Sequence, residues 1–196
     1  MFLKPSVLNN LMKKAYKSGL VLAMNEKGWL YIASDWWQVS IKREFIPKRT
    51  IGDIIALAGE LPEPGERFTC TKEGNQIEME MPNEIDETPY KGESYLTPTD
   101  LLMIGNQGVA LRVLQSEETG YIYIVNNVFM AIVDNNQIDE EHGEYGVERP
   151  LYNPYSGILW RNNVCKLRAH FRSDDKVDKL MKALGTGIDL TPEVPE

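Results

Sequence analysis

Cysteine is almost missing from this sequence: Cys70 and Cys165 are its only two in 196 residues. Two cysteines make no disulfide framework, so the expectation is a pair of free thiols in a reducing cytoplasm. Long apolar runs are missing as well, and no stretch reaches membrane-spanning length. The opening MFLKPSVLNNLMKKAYK turns amphipathic at once and lacks the apolar centre of a secretory signal. There is no phosphate loop, nucleophile elbow, dinucleotide-binding glycine pattern or paired-histidine zinc motif. The acidic run Asp139, Glu140, Glu141, His142 and Glu144 has no recognised ligand spacing and reads as a solvated loop, not a metal site. Cys165 and His170 fall in one expected strand with an odd separation, so they point to opposite faces and form no nucleophile–base pair. These absences point away from an enzyme, and to no cofactor or metal.

Charge is present but segregated. The net charge of −8 argues against a nucleic-acid partner when taken alone. Residues 1–49 carry nine Lys and Arg against three acids, a balance of +6. Residues 158–185 carry seven against three, or +4, and residues 60–100 carry three against eleven, or −8. A polyanion responds to the local field, so a basic face on an acidic body is compatible with DNA.

The sequence also holds an internal echo. FLKPSVLNNL (2–11) parallels YLTPTDLLMI (95–104), and GWLYIASDWWQVSI (28–41) parallels GYIYIVNNVFMAIV (120–133), at offsets of 93 and 92. Gly28, Tyr31, Ile32 and Trp37 match Gly120, Tyr123, Ile124 and Phe129. A period this long implies duplicated domains, here a repeated helix-plus-β-hairpin unit in an α+β fold. The expected units are 1–82 and 95–185, with a polar linker at 83–94 and a tail at 186–196.

Periodicity and punctuation place the elements. A helix starts at Pro5, carries Leu8, Leu11, Met12 and Ala15 on one face, and stops at Gly19. Strands are expected at about 20–25, 29–33 and 36–46, and a helix at about 49–59. Two strands, at about 66–72 and 75–81, flank a turn at Glu73–Gly74–Asn75. In the second unit a helix is expected at about 98–106, then strands at about 109–116, 121–125 and 128–134. A long loop runs from Asp134 to Gly157. Strands at about 158–162 and 164–171 and a helix at about 174–184 complete the series.

Trp36 and Trp37 stand side by side, so in a strand they face opposite ways. With a two-residue turn at Ser34–Asp35, and its counterpart at Asn126–Asn127, one face carries Leu30, Ile32, Trp37, Val39 and Ile41. Trp37 is thereby assigned to the core, against the first helix. The other face joins Trp36 to Trp29 and Tyr31, an aromatic patch that either packs on the chain itself or meets another protein.

Residues 5–81 have the order helix, strand, strand ending in Ala33–Ser34–Asp35, long strand, then Ile46–Pro47–Lys48–Arg49 leading a helix. Leu61–Pro62–Glu63 and Gly65 follow before two more strands. This series resembles the first domain of the bacterial DNA polymerase III beta sliding clamp, and residues 109–134 resemble a clamp strand–hairpin–strand. The resemblance implies a clamp-like fold and a non-enzymatic, sequence-independent association with duplex DNA, in company with a polymerase or another replication protein. It also implies a homo-oligomer, with helices facing the phosphates. The positions so implied are Lys13, Lys14, Lys17, Lys48 and Arg49, with Lys176, Lys179 and Lys182 of the last helix. The chain departs from the pattern in its short second unit, whose first helix has no basic residue. The alternative is a non-ring protein-binding module of a mobile element that uses Trp29, Tyr31 and Trp36.

Overall fold

The computed structural model describes residues 1–78, 80–85, 95–105, 108–153, 157–170 and 188–192. In chain order the elements are α1 (Pro5–Ala15), β1 (Leu20–Met24), β2 (Trp29–Ser34), β3 (Trp37–Lys42), α2 (Lys48–Ala58), β4 (Arg67–Thr71) and β5 (Gly74–Ile77). Then come β6 (Leu96–Ile104), β7 (Ala110–Ser116), β8 (Ile122–Asn126), α3 (Val128–Ile132), β9 (Leu151–Asn153), β10 (Gly157–Arg161) and β11 (Cys165–Ala169). The fold is α+β, rich in antiparallel sheet and with few helices. No helix among the described residues is long and apolar enough to cross a membrane.

The chain divides into two compact units. The first comprises Met1–Ile85, Ile132–Val147 and Arg161–Arg168, and the second Asp86–Ala131, Glu148–Trp160 and Ala169–Glu196. The first long segment of unit 1 ends inside the expected linker, but thereafter the units interleave where the sequence reading has them consecutive.

In unit 1, Pro5 sits in the first turn of α1, where its fixed φ suits the helix and its missing N–H is no loss. Leu8, Leu11, Met12 and Ala15 are buried at helical spacing, and Gly19 turns the chain at φ +127°. In α2, Thr50, Ile54 and Ala58 are buried, and Gly59 ends the helix in the left-handed region with its N–H donating to Ile55 O (2.8 Å). The strands run in the order β5-β4-β1-β2-β3-β11. Register places Phe68, Leu22, Ile32 and Val39 in one row of buried apolar side chains. Lys42 N donates to Val164 O (3.0 Å), and Arg168 meets Gln38, so β3 and β11 run antiparallel.

The hairpin differs by one step from its expected form. Ser34 pairs with Trp37, so the two-residue loop is Asp35–Trp36, and the Ser34 hydroxyl accepts from Trp36 N (3.4 Å). Moving the loop by one residue shifts each cross-strand partner by two, which leaves the strand side chains on their assigned faces and takes Trp36 out of the sheet. β3 is shorter than expected, because Arg43–Phe45 form a 3₁₀ turn, and β5 stops at Ile77. The β4–β5 loop is Lys72–Glu73, with Gly74 already in the strand.

Unit 2 departs further. The expected helix at 98–106 is strand β6, paired antiparallel with β7, which pairs in turn with β8. The apolar run Leu101–Ile104 fits a strand as well as a helix. Pro98, which has no N–H to give, is tolerated because β6 is an edge strand. A register shift between Pro98 and Leu102 makes a bulge, where Thr99 Oγ1 donates to Val113 O (3.0 Å) and accepts from Leu101 N (3.2 Å).

The expected strand at 128–134 is α3. Asn126–Asn127 is no hairpin turn: the Asn126 side chain accepts from Val128 N (3.0 Å), an Asx turn that leads into the helix. The block 120–133 is therefore strand then helix, whereas its sequence echo 28–41 is a hairpin. The echo in sequence has no matching echo in structure over these blocks. The 134–157 loop holds a 3₁₀ turn at Glu140–His142 and strand β9. In unit 2, Tyr123 stacks on Tyr152 at 4.2 Å between ring centroids. The expected helix at 174–184, the tail from 193, and Lys176, Lys179 and Lys182 lie outside the described residues.

Candidate nucleic-acid interface

Two groups of cations stand on the helices of unit 1. Lys13, Lys14 and Lys17 are exposed in and just after the last turn of α1, away from its buried stripe. A helix C-terminus carries partial negative charge, so lysines there are favourable on local grounds alone. Lys48 and Arg49 are exposed in the first turn of α2, which contains no acid. That placement opposes the helix dipole, and local helix energetics do not account for it. Asn9 Nδ2 of α1 donates to Asp53 Oδ1 of α2 (2.9 Å), which joins the two helices. Among the described residues, none of these five cations meets a carboxylate within ion-pair distance.

The aromatic trio is not brought together as one exposed patch. Tyr31 is buried, and its hydroxyl accepts from Asn25 Nδ2 (3.1 Å). Burial raises the Tyr31 phenol above its ordinary pKa, and nearby Glu84 raises it further. Trp36 sits in the hairpin loop and is 50% exposed, so it belongs to neither sheet face. Trp29 is half-buried at the end of β2, with Lys166 Nζ at 4.9 Å and Lys42 Nζ at 5.7 Å from its ring centroid.

The second face of the sheet is polar and largely covered. Register puts Trp29 and Tyr31 on it with Gln38, Ser40 and Lys42. Arg168 donates to Gln38 Oε1 (2.8 Å), and burial lowers its guanidinium below the ordinary arginine value. The chain after β5 crosses this face as a strap. Arg67 donates to Glu80 O, Gln38 Nε2 donates to Asn83 O (3.0 Å), and Ile85 is buried.

The sequence reading did not single out Lys166 and Arg168. Their signal was the alternation of Lys166 and Arg168 with the buried Cys165, Leu167 and Ala169. Alternation names a face, but not the strand beside it.

The acidic loop also proves different from a solvated run. Glu144 is 3% exposed and pairs with the Met1 amine, while Asn162 Nδ2 reaches its other oxygen at 3.4 Å. Asp139, which stays exposed, meets His142 Nδ1 at 2.8 Å, and that contact lowers its pKa. Among the described residues no three His, Cys, Asp or Glu side chains converge as metal ligands. Burial pushes the Cys70 thiol up to about 11 and raises that of Cys165 further, so neither is poised as a thiolate.

Comparison of the chain with protein-family models, with curated proteins and with solved structures finds no match.

Proposed function

We propose that this chain is a non-enzymatic, DNA-associated scaffold of sliding-clamp type, working with a replication protein. Unit 1 presents Lys13, Lys14, Lys17, Lys48 and Arg49 to duplex phosphates without reading sequence. The observation that carries this reading is the helical pair itself: five exposed cations, none held by a carboxylate among the described residues, two of them set against a helix dipole. The clamp-like reading rests on unit 1 alone, since the second unit opens with strands instead of a helix.

Such contacts release counterions, so binding should fall steeply with salt, by about 0.9 units of logarithmic slope for each phosphate neutralised. Fluorescence anisotropy with a labelled duplex across a salt series tests this. Lys13→Glu, Lys14→Glu and Lys17→Glu together should abolish binding and leave the melting temperature nearly unchanged, because exposed lysines add little to stability. No binding by the wild type at moderate or low salt, together with a monomer in light scattering, would remove the proposal.

A second reading, a protein-binding module, is favoured by one specific feature. Leu101, Leu102 and Ile104 of edge strand β6 are exposed, in a run from Leu101 to Leu111 that has no charged residue. Contiguous exposed apolar side chains mark contact surfaces more often than isolated ones do.

A further inference from the structure

The polar sheet face of unit 1 holds a cluster of cations that the helical reading does not use. Lys42 closes β3 opposite Trp29, and Lys166 and Arg168 follow each other on one face of the neighbouring strand β11. Two ammonium groups lie over the single Trp29 ring, at 4.9 and 5.7 Å. Each is attracted by the ring, but the two repel each other.

Among the described residues, Lys42 and Arg168 meet no carboxylate. Among the described residues, the guanidinium of Arg168 has one neutral amide oxygen as partner, and its buried Nε has none. A partly desolvated cation without an anion is unfavourable, and a bound anion relieves it. Glu84, beside this face, is exposed and pairs with Lys27 at 3.9 Å.

We infer that the part of this face left partly exposed, at Trp29, Lys42, Lys166 and Arg168, binds single-stranded nucleic acid, with backbone phosphates between the three cations and a base on the Trp29 indole. The spacing suits a repeating anion. Residues two apart in a strand lie roughly 6.6 Å apart, so Lys166 and Arg168 can meet successive groups of an extended polyanion. The indole is the reason to choose a single strand over a duplex. A duplex keeps its bases stacked inside, whereas an open strand can lay a base on an aromatic ring. On binding, Lys42 exchanges its ring contact for a phosphate contact, and the ring face is left to the base. This site is separate from the α1–α2 cations, and its success or failure is independent of theirs.

The test uses the full chain and a labelled oligothymidylate, read by anisotropy and by tryptophan fluorescence across a salt series. Wild type should bind, with quenching. Lys42→Gln with Lys166→Gln should reduce the logarithmic salt slope by about 1.4, at about 0.7 for each single-strand contact. Trp29→Phe should remove most of the quenching. The triple change at Lys13, Lys14 and Lys17 should leave oligothymidylate binding in place, and the Lys42/Lys166 pair should leave duplex binding in place. Should the double variant melt early, Lys166→Gln alone should lower the slope by about half as much, and Lys42→Arg with Lys166→Arg should keep it. The inference is overturned by an absence of oligothymidylate binding at both low and moderate salt, or by an unchanged slope in a folded Lys42/Lys166 variant. Polyglutamate competing as well as oligothymidylate would overturn it in favour of an acidic-peptide site. Inorganic phosphate saturating the site as readily would leave a simple anion site in its place.

Discussion

Neighbouring residues in this chain have opposite fates, and the cause is geometric. Trp37 is 4% exposed and lies on the apolar face with Ile32 and Val39, whereas Trp36 sits in the hairpin loop. Trp37→Ala should cost about 3–5 kcal/mol as a large core truncation. Trp36→Ala should stay within about 1 kcal/mol, as a substitution away from the core. Urea unfolding of the two variants checks the contrast, and equal losses would contradict the two environments. The role of Trp37 was legible because alternation survives any even shift of register. Asn162 was not legible, because its value lies in contacts that only the folded chain brings together. Its Oδ1 accepts from Val164 N (3.1 Å) and Cys165 N (2.8 Å), and its Nδ2 donates to Tyr145 O (2.8 Å). Asn162→Ala would leave these buried groups without partners and should cost about 3 kcal/mol, more than most single substitutions. Asn162→Asp should also lose stability, because it exchanges the donor for a second carboxylate beside Glu144.

At the scale of elements, success and failure in reading the sequence separate by punctuation. α1 and α2 are marked at their ends by Pro5, Gly19, Pro47 and Gly59; the structure starts both helices at these prolines and ends α2 at Gly59, while α1 ends at Ala15, ahead of Gly19. β6 and α3 lack such marks. The stretch after Pro98 is apolar without a decisive period, and a short apolar run satisfies helix and strand alike. Asn126–Asn127 suits a turn or a helix cap by the same chemistry, a short side chain bonding the backbone two residues on. β6 is held as a strand by pairing with β7, and the strand that ends at Asn126, just before α3, pairs with β7 on its other side. Gly157 tests how tightly β10 is held in unit 2. Its φ of +90° is strained for any side chain, and an added Cβ would lie 2.2 Å from Ala169 O, a backbone atom that cannot swing away. Gly157→Ala should therefore destabilise the fold by at least about 3 kcal/mol, the backbone strain and the clash acting together. Gly52→Ala is the control. Its Cβ would meet nothing within 4 Å in the middle of α2, and the change should stabilise by up to about 1 kcal/mol. Melting curves of the pair should move in opposite directions, and a neutral Gly157→Ala would show that β10 yields there.

For the whole molecule, charge is the property that spans every residue, and it sets up a competition between near and far fields. The chain carries −8 overall, yet residues 1–49 carry +6. A duplex approaching α1 and α2 meets the cations of these helices on a chain whose acids lie mostly elsewhere in the sequence. Which group dominates depends on screening, because the Debye length is about 30 Å at 0.01 M salt and about 10 Å at 0.1 M. At the lower salt the acids across the protein still act on the DNA, and the net charge repels it. At the higher salt only the closest groups act, and these are Lys13, Lys14, Lys17, Lys48 and Arg49. Above that, counterion release weakens binding in the usual way. Affinity for a duplex should therefore pass through a maximum between about 0.01 M and 0.1 M salt, instead of rising without limit on dilution. The net charge was legible from composition, but the competition needed the structure, which leaves the five cations exposed and without carboxylate partners among the described residues. Replacing exposed acids of unit 1 that lie outside the two helices, such as Glu140 and Glu141, by glutamine should shift the maximum to lower salt without changing the slope above it. Anisotropy from about 0.01 to 0.3 M salt, spanning Debye lengths from about 30 Å to below 8 Å, is sufficient to see it. A strictly monotonic fall from the lowest salt would mean that the acidic body has no part in DNA association, and that the cations act as an isolated patch.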